Sequence, residues 1–344
     1  MFLPTALLLV SSVAAQQWTL SEDYSGATFF DNFNFYDNSD PGNGIAKYVD
    51  RGRAEYEGMI SITNNVVKIS ADVKGPMRPD QNRKSVRLHS KNTHDTGLFI
   101  ADIIHMPFGC GVWPALWSIG PNKGEIDIIE TVNLLQRNLM NIHGKEGCQS
   151  LPVEFRNQTA KVTSTSCYDT DEAGPKGCSS ELTSTMSAGQ GFNENKGGVY
   201  AWKVTNSSIT AWFFPRGEIP ADISTNTPTP DSWPAPVMYF PLNCCPFNHF
   251  GRRTLILSLT FCGRWAGSNY ERFTVPNGLN VTCPIGTCEA NVRSNPDMIK
   301  EAFWELNFIR IYQNPAETTC MFLSLFGLFE LIFFSCSEWN YFVE

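Results

Sequence analysis

Along most of the chain, apolar and polar residues alternate in short runs that stop at Gly, Pro or Asn before a helical period develops. Val66 to Ala71 alternates in this way, as does the run from Ser85 to His89. Residues 97–106, Gly-Leu-Phe-Ile-Ala-Asp-Ile-Ile-His-Met, are largely apolar, which predicts a strand mostly buried on both faces. Tyr200 to Val204 and Ile209 to Phe214, joined through Asn206-Ser-Ser208, predict a hairpin. Thr254 to Phe261 and Phe303 to Tyr312 predict further strands, and Asn295 is placed to cap a short helix over residues 295–302. Many short strands separated by turn residues predict an all-β, antiparallel sandwich or barrel in one domain. Ser164 to Gly191, polar and holding two cysteines, reads as a long loop tied by a disulfide. The proline-punctuated stretch from Ile219 to Pro236 reads as a second irregular loop.

Composition then narrows the setting. A chain of 344 residues, 42% hydrophobic, can bury one large core or two modest ones. A net charge of −8, with pI about 5.2, repels phosphate backbones and argues against nucleic acid as a partner. Phe2 to Val10 is apolar and Ser11-Ser-Val-Ala-Ala15 is small, the pattern of an export signal over residues 1–15 with cleavage before Gln16. Eleven cysteines suit an oxidising compartment; Cys148, Cys167, Cys178, Cys262, Cys283 and Cys288 sit where cross-links are plausible, with pairings left open. No paired C-x-x-C units mark a zinc site. Asn157-Gln-Thr, Asn206-Ser-Ser and Asn280-Val-Thr are sequons for N-glycans. Together these features predict an extracellular protein. Met321 to Phe334 is apolar but falls short of the roughly 20 residues that span a bilayer. No spanning segment is expected, and residues 314–344 stand apart from a domain at 16–313.

The chemistry concentrates in one stretch, where Trp113-Pro-Ala-Leu-Trp117 precedes Glu125-Ile-Asp-Ile-Ile-Glu130. Acids interleaved with Ile126, Ile128 and Ile129 on a strand are costly to desolvate, so they need a reason to be there. Glu125 and Asp127 are two apart and share a face. Glu130 is five from Glu125, which on a regular strand turns it to the opposite face. A β-bulge between Asp127 and Glu130 restores the parity, and one is predicted here. Two carboxyls about 5 to 5.5 Å apart across a sugar define a retaining glycosidase: one attacks the anomeric carbon, the other protonates the leaving oxygen and then activates water. Asp127 between them would hydrogen-bond the nucleophile and help hold the two pKa values apart. The competing readings of the triplet are a solvent-facing edge or a metal site.

On Gly124-Glu-Ile-Asp-Ile-Ile-Glu130 and Gly111-Val-Trp-Pro-Ala-Leu-Trp117 the chain resembles glycoside hydrolase family 16, in particular the fungal laminarinase-like endo-1,3(4)-β-glucanases. Supporting stretches are Trp212 to Ile223, Cys262-Gly-Arg-Trp-Ala-Gly-Ser268 and Phe303 to Gln313, so the resemblance covers roughly residues 20 to 313. It implies a concanavalin-like β-jelly-roll sandwich of two antiparallel sheets with the cleft on the concave face. It also implies Glu125 as nucleophile, Asp127 as its helper and Glu130 as acid/base. A structural calcium ion occurs in such relatives, but no ligands for one are evident, and neither a cofactor nor a catalytic metal is expected.

Glycan clefts pair aromatic platforms with hydrogen bonds to hydroxyls. Trp113, Trp117 and Trp265 are the candidates for stacking on sugar, against the alternative of core packing. Trp202 and Trp212, on the arms of the hairpin, read as core. His143, one strand beyond the acids, could bond the acid/base or a sugar hydroxyl, or serve the fold alone. The expected activity is hydrolysis of β-1,3- or mixed β-1,3/1,4-glucan by a monomer, with the polysaccharide as partner. Transglycosylation and a non-catalytic glycan-binding module are the alternatives.

Overall fold

A computed structural model describes residues 18–120, 124–150, 157–168, 177–242, 245, 249–275, 282–314, 319–320 and 334–335. The chain runs through β1 (Thr19–Ser25), β2 (Phe33–Phe35), β3 (Ala46–Tyr48), α1 (Arg51–Tyr56), β4 (Ile60–Thr63), β5 (Val66–Ser70), β6 (Arg83–Ser85), β7 (Arg87–His94), β8 (Gly97–His105) and β9 (Val112–Ile119). It continues with β10 (Glu125–Glu130), β11 (Leu139–His143), β12 (Lys161–Ser164), β13 (Cys178–Glu181), α2 (Gly189–Glu194), β14 (Gly198–Val204) and β15 (Ser208–Pro215). Then follow α3 (Ala221–Ser224), β16 (Met238–Pro241), β17 (Arg253–Phe261), α4 (Cys288–Ser294) and β18 (Phe303–Gln313).

Among the described residues two eight-stranded antiparallel sheets dominate. The first has the order β16-β15-β14-β8-β18-β5-β4, with β1 also paired to β18. The second, which carries the acids, has the order β12-β13-β11-β10-β9-β17-β7-β2. They are the layers of a β-jelly-roll sandwich. Between them lies one core, to which β8, β14 and β18 contribute Phe99, Trp202 and Leu306 and the other sheet contributes Leu116, Ile126, Met140 and Leu257. Phe99 and Trp202 are register partners whose rings stack 5.1 Å apart. Burying such rings contributes roughly 2–3 kcal/mol each.

The apolar run at 97–106 becomes β8, and its two-sided burial has a specific cause. Phe99 and Ala101 face the sandwich core, whereas Leu98 and Ile100 pack outward under Trp212, Ile223 and Trp233. Residues 219–236 therefore cover the outer face, and Trp233 meets Trp212 edge-on at 5.2 Å. Trp202 and Trp212 are buried, as read from the hairpin.

Three local expectations are corrected. Ser164 to Gly191 is not one loop, because β13 and α2 interrupt it. The strand Cys178-Ser-Ser-Glu181 has almost no apolar signal and exists because β11 and β12 flank it. Residues 295–302 form only a 3-10 turn at Pro296–Ile299, and the Asn295 amide donates to Asn291 Oδ1 at 3.4 Å instead of capping. The true helix precedes it, α4, with Thr287 Oγ1 accepting from the Ala290 N–H as its N-cap.

Disulfides join Cys110–Cys283, Cys148–Cys245, Cys167–Cys178 and Cys262–Cys288, so all six singled-out cysteines are paired, two of them with Cys110 and Cys245. Buried Arg83 lashes α4 to the sheets by donating to the carbonyls of Val292, Arg293, Asp72 and Gly75. The export signal, Asn280 and residues 321–333 of the apolar stretch lie outside the described residues; Thr319–Cys320 pairs with Phe334–Ser335. No helix among the described residues is long and apolar enough to cross a membrane.

Candidate active site

The register of β10 against its neighbours decides where the acids point. Against β9, Asp127 pairs with Trp117, Ile129 with Leu116 and Glu130 with Ala115, so Ile128 is the extra residue. Against β11, Asp127 pairs with Asn141 and Glu130 with Leu139, leaving Met140 opposite both Ile128 and Ile129. Trp117 and Ala115 are two apart and share a face, so Asp127 and Glu130 share it too. The bulge lies where the spacing predicts it. Its apolar signature is that Ile128 and Ile129, though adjacent, both enter the sandwich core, at 1% and 0% exposure. Glu125, Asp127 and Glu130 consequently line the face of the second sheet turned away from that core.

Around the first two acids, side-chain atoms of Glu125, Asp127 and His143 all lie within 4.8 Å of one another. His143 Nε2 is 3.2 Å from Asp127 Oδ2. β11 delivers His143 opposite Glu125. The ring has Gly177 as its neighbour: a Cβ there would sit 2.8 Å from His143 Cε1, so only glycine leaves space for the imidazole. Gly177 has φ +57 and directly precedes the Cys178 disulfide.

Glu130 is held at both carboxyl oxygens. Trp113 Nε1 donates to Oε1 at 3.0 Å, and Asn141 Nδ2 donates to Oε2 at 2.9 Å. Ser179 Oγ donates to Asn141 Oδ1 at 2.5 Å, which fixes the amide with its NH2 toward Glu130. Although part of its surface reaches the groove, desolvation pushes the Glu130 pKa up to about 8. The Asp127 charge adds to that rise, while the Trp113 and Asn141 hydrogen bonds and His143 oppose it.

The strands β9, β17 and β7 extend the same face. Trp113 and Trp265 meet edge-on at 5.8 Å, with both rings partly exposed. Trp265 sits in a π-helical turn, Gly263–Gly267, anchored by the Asn133 amide on the Ala266 carbonyl and by the Cys262–Cys288 disulfide. Trp117 Nε1 donates to Ser258 Oγ at 3.2 Å. The Arg87 guanidinium lies 5.0 Å from the Trp117 ring and 5.0 Å from that of Tyr36. Arg87 Nε donates to His89 Nε2 at 2.9 Å, and Tyr36 stacks on His89 at 5.2 Å. Burial first, then Arg87, pushes the His89 pKa down to about 4, so this imidazole stays a neutral acceptor.

Each residue named from the sequence thus lies on or beside one face: Glu125, Asp127, Glu130 and His143 in one cluster, Trp113 bonded to Glu130, Trp265 against Trp113, and Trp117 further along. Sequence reasoning missed Asn141, Asn138, Ser179, Arg87, Tyr36 and His89. Asn141 alone carried a signal, since it is two before His143 and shares its face. Arg87 and Tyr36 are remote in the chain and arrive only through sheet pairing. As for ions, Cys148, Cys245 and His249 also cluster, but the two sulfurs are a disulfide. The other donor cluster among the described residues is Glu125, Asp127 and His143.

The molecule is a jelly-roll sandwich with three acids on one sheet face, and comparisons with known proteins place it in a family. Residues 33–312 match the family model described as XgeA-like, catalytic GH16 domain. The chain belongs to glycoside hydrolase family 16. A probable endo-1,3(4)-β-glucanase of Aspergillus fumigatus is 38% identical over 317 residues, covering 89% of this chain and 48% of that one. The chain therefore spans about half the length of that relative. An elongating family 16 β-1,3-glucosyltransferase of known structure is 39% identical, with TM-score 0.78 over 86% of this chain and 100% of its own. Laminarinase 16A of Phanerochaete chrysosporium, crystallised with a β-glucan in donor and acceptor sites, is 34% identical with TM-score 0.79 over 86% and 100%.

Proposed function

We propose that the protein is a retaining endo-β-glucanase acting on β-1,3- or mixed β-1,3/1,4-glucan. The observation that carries this reading is a bulged strand that presents Glu130, held by Trp113 and Asn141, on the same face as Glu125 and Asp127. In the first step Glu125 attacks the anomeric carbon while protonated Glu130 gives its proton to the departing glycosidic oxygen. The glycosyl–Glu125 ester forms as the glycosidic bond breaks. In the second step the Glu130 carboxylate takes a proton from water, which displaces Glu125 and retains the configuration. Asp127, beside His143, holds the nucleophile and keeps negative charge close to Glu130, so the acid stays protonated near neutral pH. Trp113, Trp117 and Trp265 serve as platforms for the sugar rings.

The four disulfides favour secretion, with residues 1–15 as signal and 16–313 as the catalytic domain. The substrate is an uncharged polysaccharide, and the enzyme works as a monomer without a cofactor. The decisive experiment incubates the parent, Glu125→Gln and Glu130→Gln with laminarin and follows reducing ends, with the product anomer read by NMR. Retention in the parent and loss of turnover in both variants is the expected result; release at the parent rate by both variants rejects the reading.

Transglycosylation is the second reading, favoured by the 39% identity to an elongating β-1,3-glucosyltransferase. There a sugar hydroxyl replaces water in the second step. Products longer than the supplied laminari-oligosaccharide would establish it.

A further inference from the structure

The bulge that aims Glu130 leaves two backbone groups out of the regular β10–β11 ladder. Met140 faces both Ile128 and Ile129, so the Ile128 carbonyl and the Glu130 N–H lie at the point where pairing shifts. Both are taken by one side chain. Asn138 Nδ2 donates to the Ile128 carbonyl at 2.7 Å, and Asn138 Oδ1 accepts from the Glu130 N–H at 2.9 Å. Only one orientation of the amide satisfies both, because one partner is an acceptor and the other a donor.

The amide is itself anchored. Asn138 is fully buried, its N–H donates to Ser187 Oγ at 3.1 Å, and its carbonyl accepts from the Leu182 N–H at 3.0 Å. The Ser187 carbonyl in turn accepts from the Tyr200 hydroxyl, which belongs to β14 of the opposite sheet. The bulge is thereby tied across the sandwich. Being fully buried, Asn138 has no surface to offer a glycan.

We propose that Asn138 is a positioning residue: its amide replaces the missing ladder bonds and so holds the Glu130 backbone with the carboxyl between Trp113 and Asn141. This rests on the reading of Glu130 as acid/base. Loosening the clamp lets the backbone slip toward a regular strand, in which Glu130 rotates out of the groove.

Leaving-group dependence separates aim from folding. A sugar leaving group needs the acid's proton, whereas 2,4-dinitrophenolate departs without one. A loss of folded enzyme lowers kcat/KM on every substrate alike, while a misaimed acid lowers it only where protonation is needed. The experiment measures kcat/KM for a laminari-oligosaccharide and for 2,4-dinitrophenyl β-laminaribioside, in the parent, Glu130→Gln, Asn138→Ala and Asn138→Asp. Asn138→Asp is isosteric, keeps an acceptor for the Glu130 N–H and loses the donor to Ile128, so it reports if the alanine variant does not fold. The expected result is a fall of about 10²-fold on the oligosaccharide, with the aryl glycoside retained within about threefold. Equal losses on both substrates, or no loss on either, overturn the positioning role. If Glu130→Gln itself loses both substrates equally, the acid/base assignment fails first, and the inference goes with it.

Discussion

The protonation of Glu130 is set by what surrounds it. Desolvation and the neighbouring Asp127 push its pKa up to about 8, so the carboxyl keeps its proton at neutral pH. The alkaline limb of kcat/KM should therefore fall with an apparent pKa near 8, and Glu130→Gln should abolish that limb while lowering turnover by about 10²- to 10⁴-fold. The same shift makes a stability prediction. A carboxyl whose folded pKa exceeds its unfolded value of about 4.3 contributes stability below that value and loses it as pH rises through the folded pKa. The Tm of Glu130→Gln relative to the parent should accordingly increase from pH 5 to pH 9. Trp113→Phe deletes a hydrogen bond that favours the ionised form, so its alkaline limb should move above 8 in a pH–rate profile. Any downward move would show that the indole acts mainly by excluding water.

At the scale of the element, β10 is fixed at both ends. Its far end carries the bulge; Gly124, just before its start, runs so close to the segment leading into β17 that a Cβ would sit 2.4 Å from the His249 carbonyl oxygen and 2.7 Å from Phe250 Cα. These are backbone atoms and cannot step aside as a side chain would. Gly124→Ala should cost about 1–3 kcal/mol by overpacking, measured by urea denaturation, and should reduce kcat because the displaced strand carries Glu125. β13 shows how an element can form without a signal of its own. Cys-Ser-Ser-Glu has no apolar alternation, yet it places Ser179 behind Asn141 and Gly177 against His143.

For the whole molecule, sandwich burial supplies most of the stability, and the disulfides pin what the sheets leave free. Cys110–Cys283 closes a separation of 173 residues and, with Cys262–Cys288, holds the α4 region against the turn bearing Trp265. Replacing Cys110 and Cys283 by Ala should cost about 4–5 kcal/mol, seen as a lower urea midpoint, and should raise KM through the Trp265 turn. β18 completes the first sheet at Gln313, so truncation after Asn314 should leave Tm and glucanase activity unchanged.

Short alternating runs were enough to read an all-β, antiparallel sandwich or barrel, because alternating burial is what a half-buried sheet requires of its strands; the choice of a two-layer sandwich rested on the family resemblance. The acid spacing also determined the bulge: Glu-x-Asp-x-x-Glu among isoleucines can share a face only if one residue is skipped. What lay beyond the sequence was everything that depends on which strands become neighbours. Arg87, Tyr36 and Asn141 meet the groove through cross-strand pairing, and the pKa of Glu130 depends on burial and on partners at Trp113, Asp127 and Asn141. Local pattern specifies the face on which a side chain stands. Only the closed sandwich specifies what stands beside it, and the electrostatics of a carboxyl are set by those neighbours.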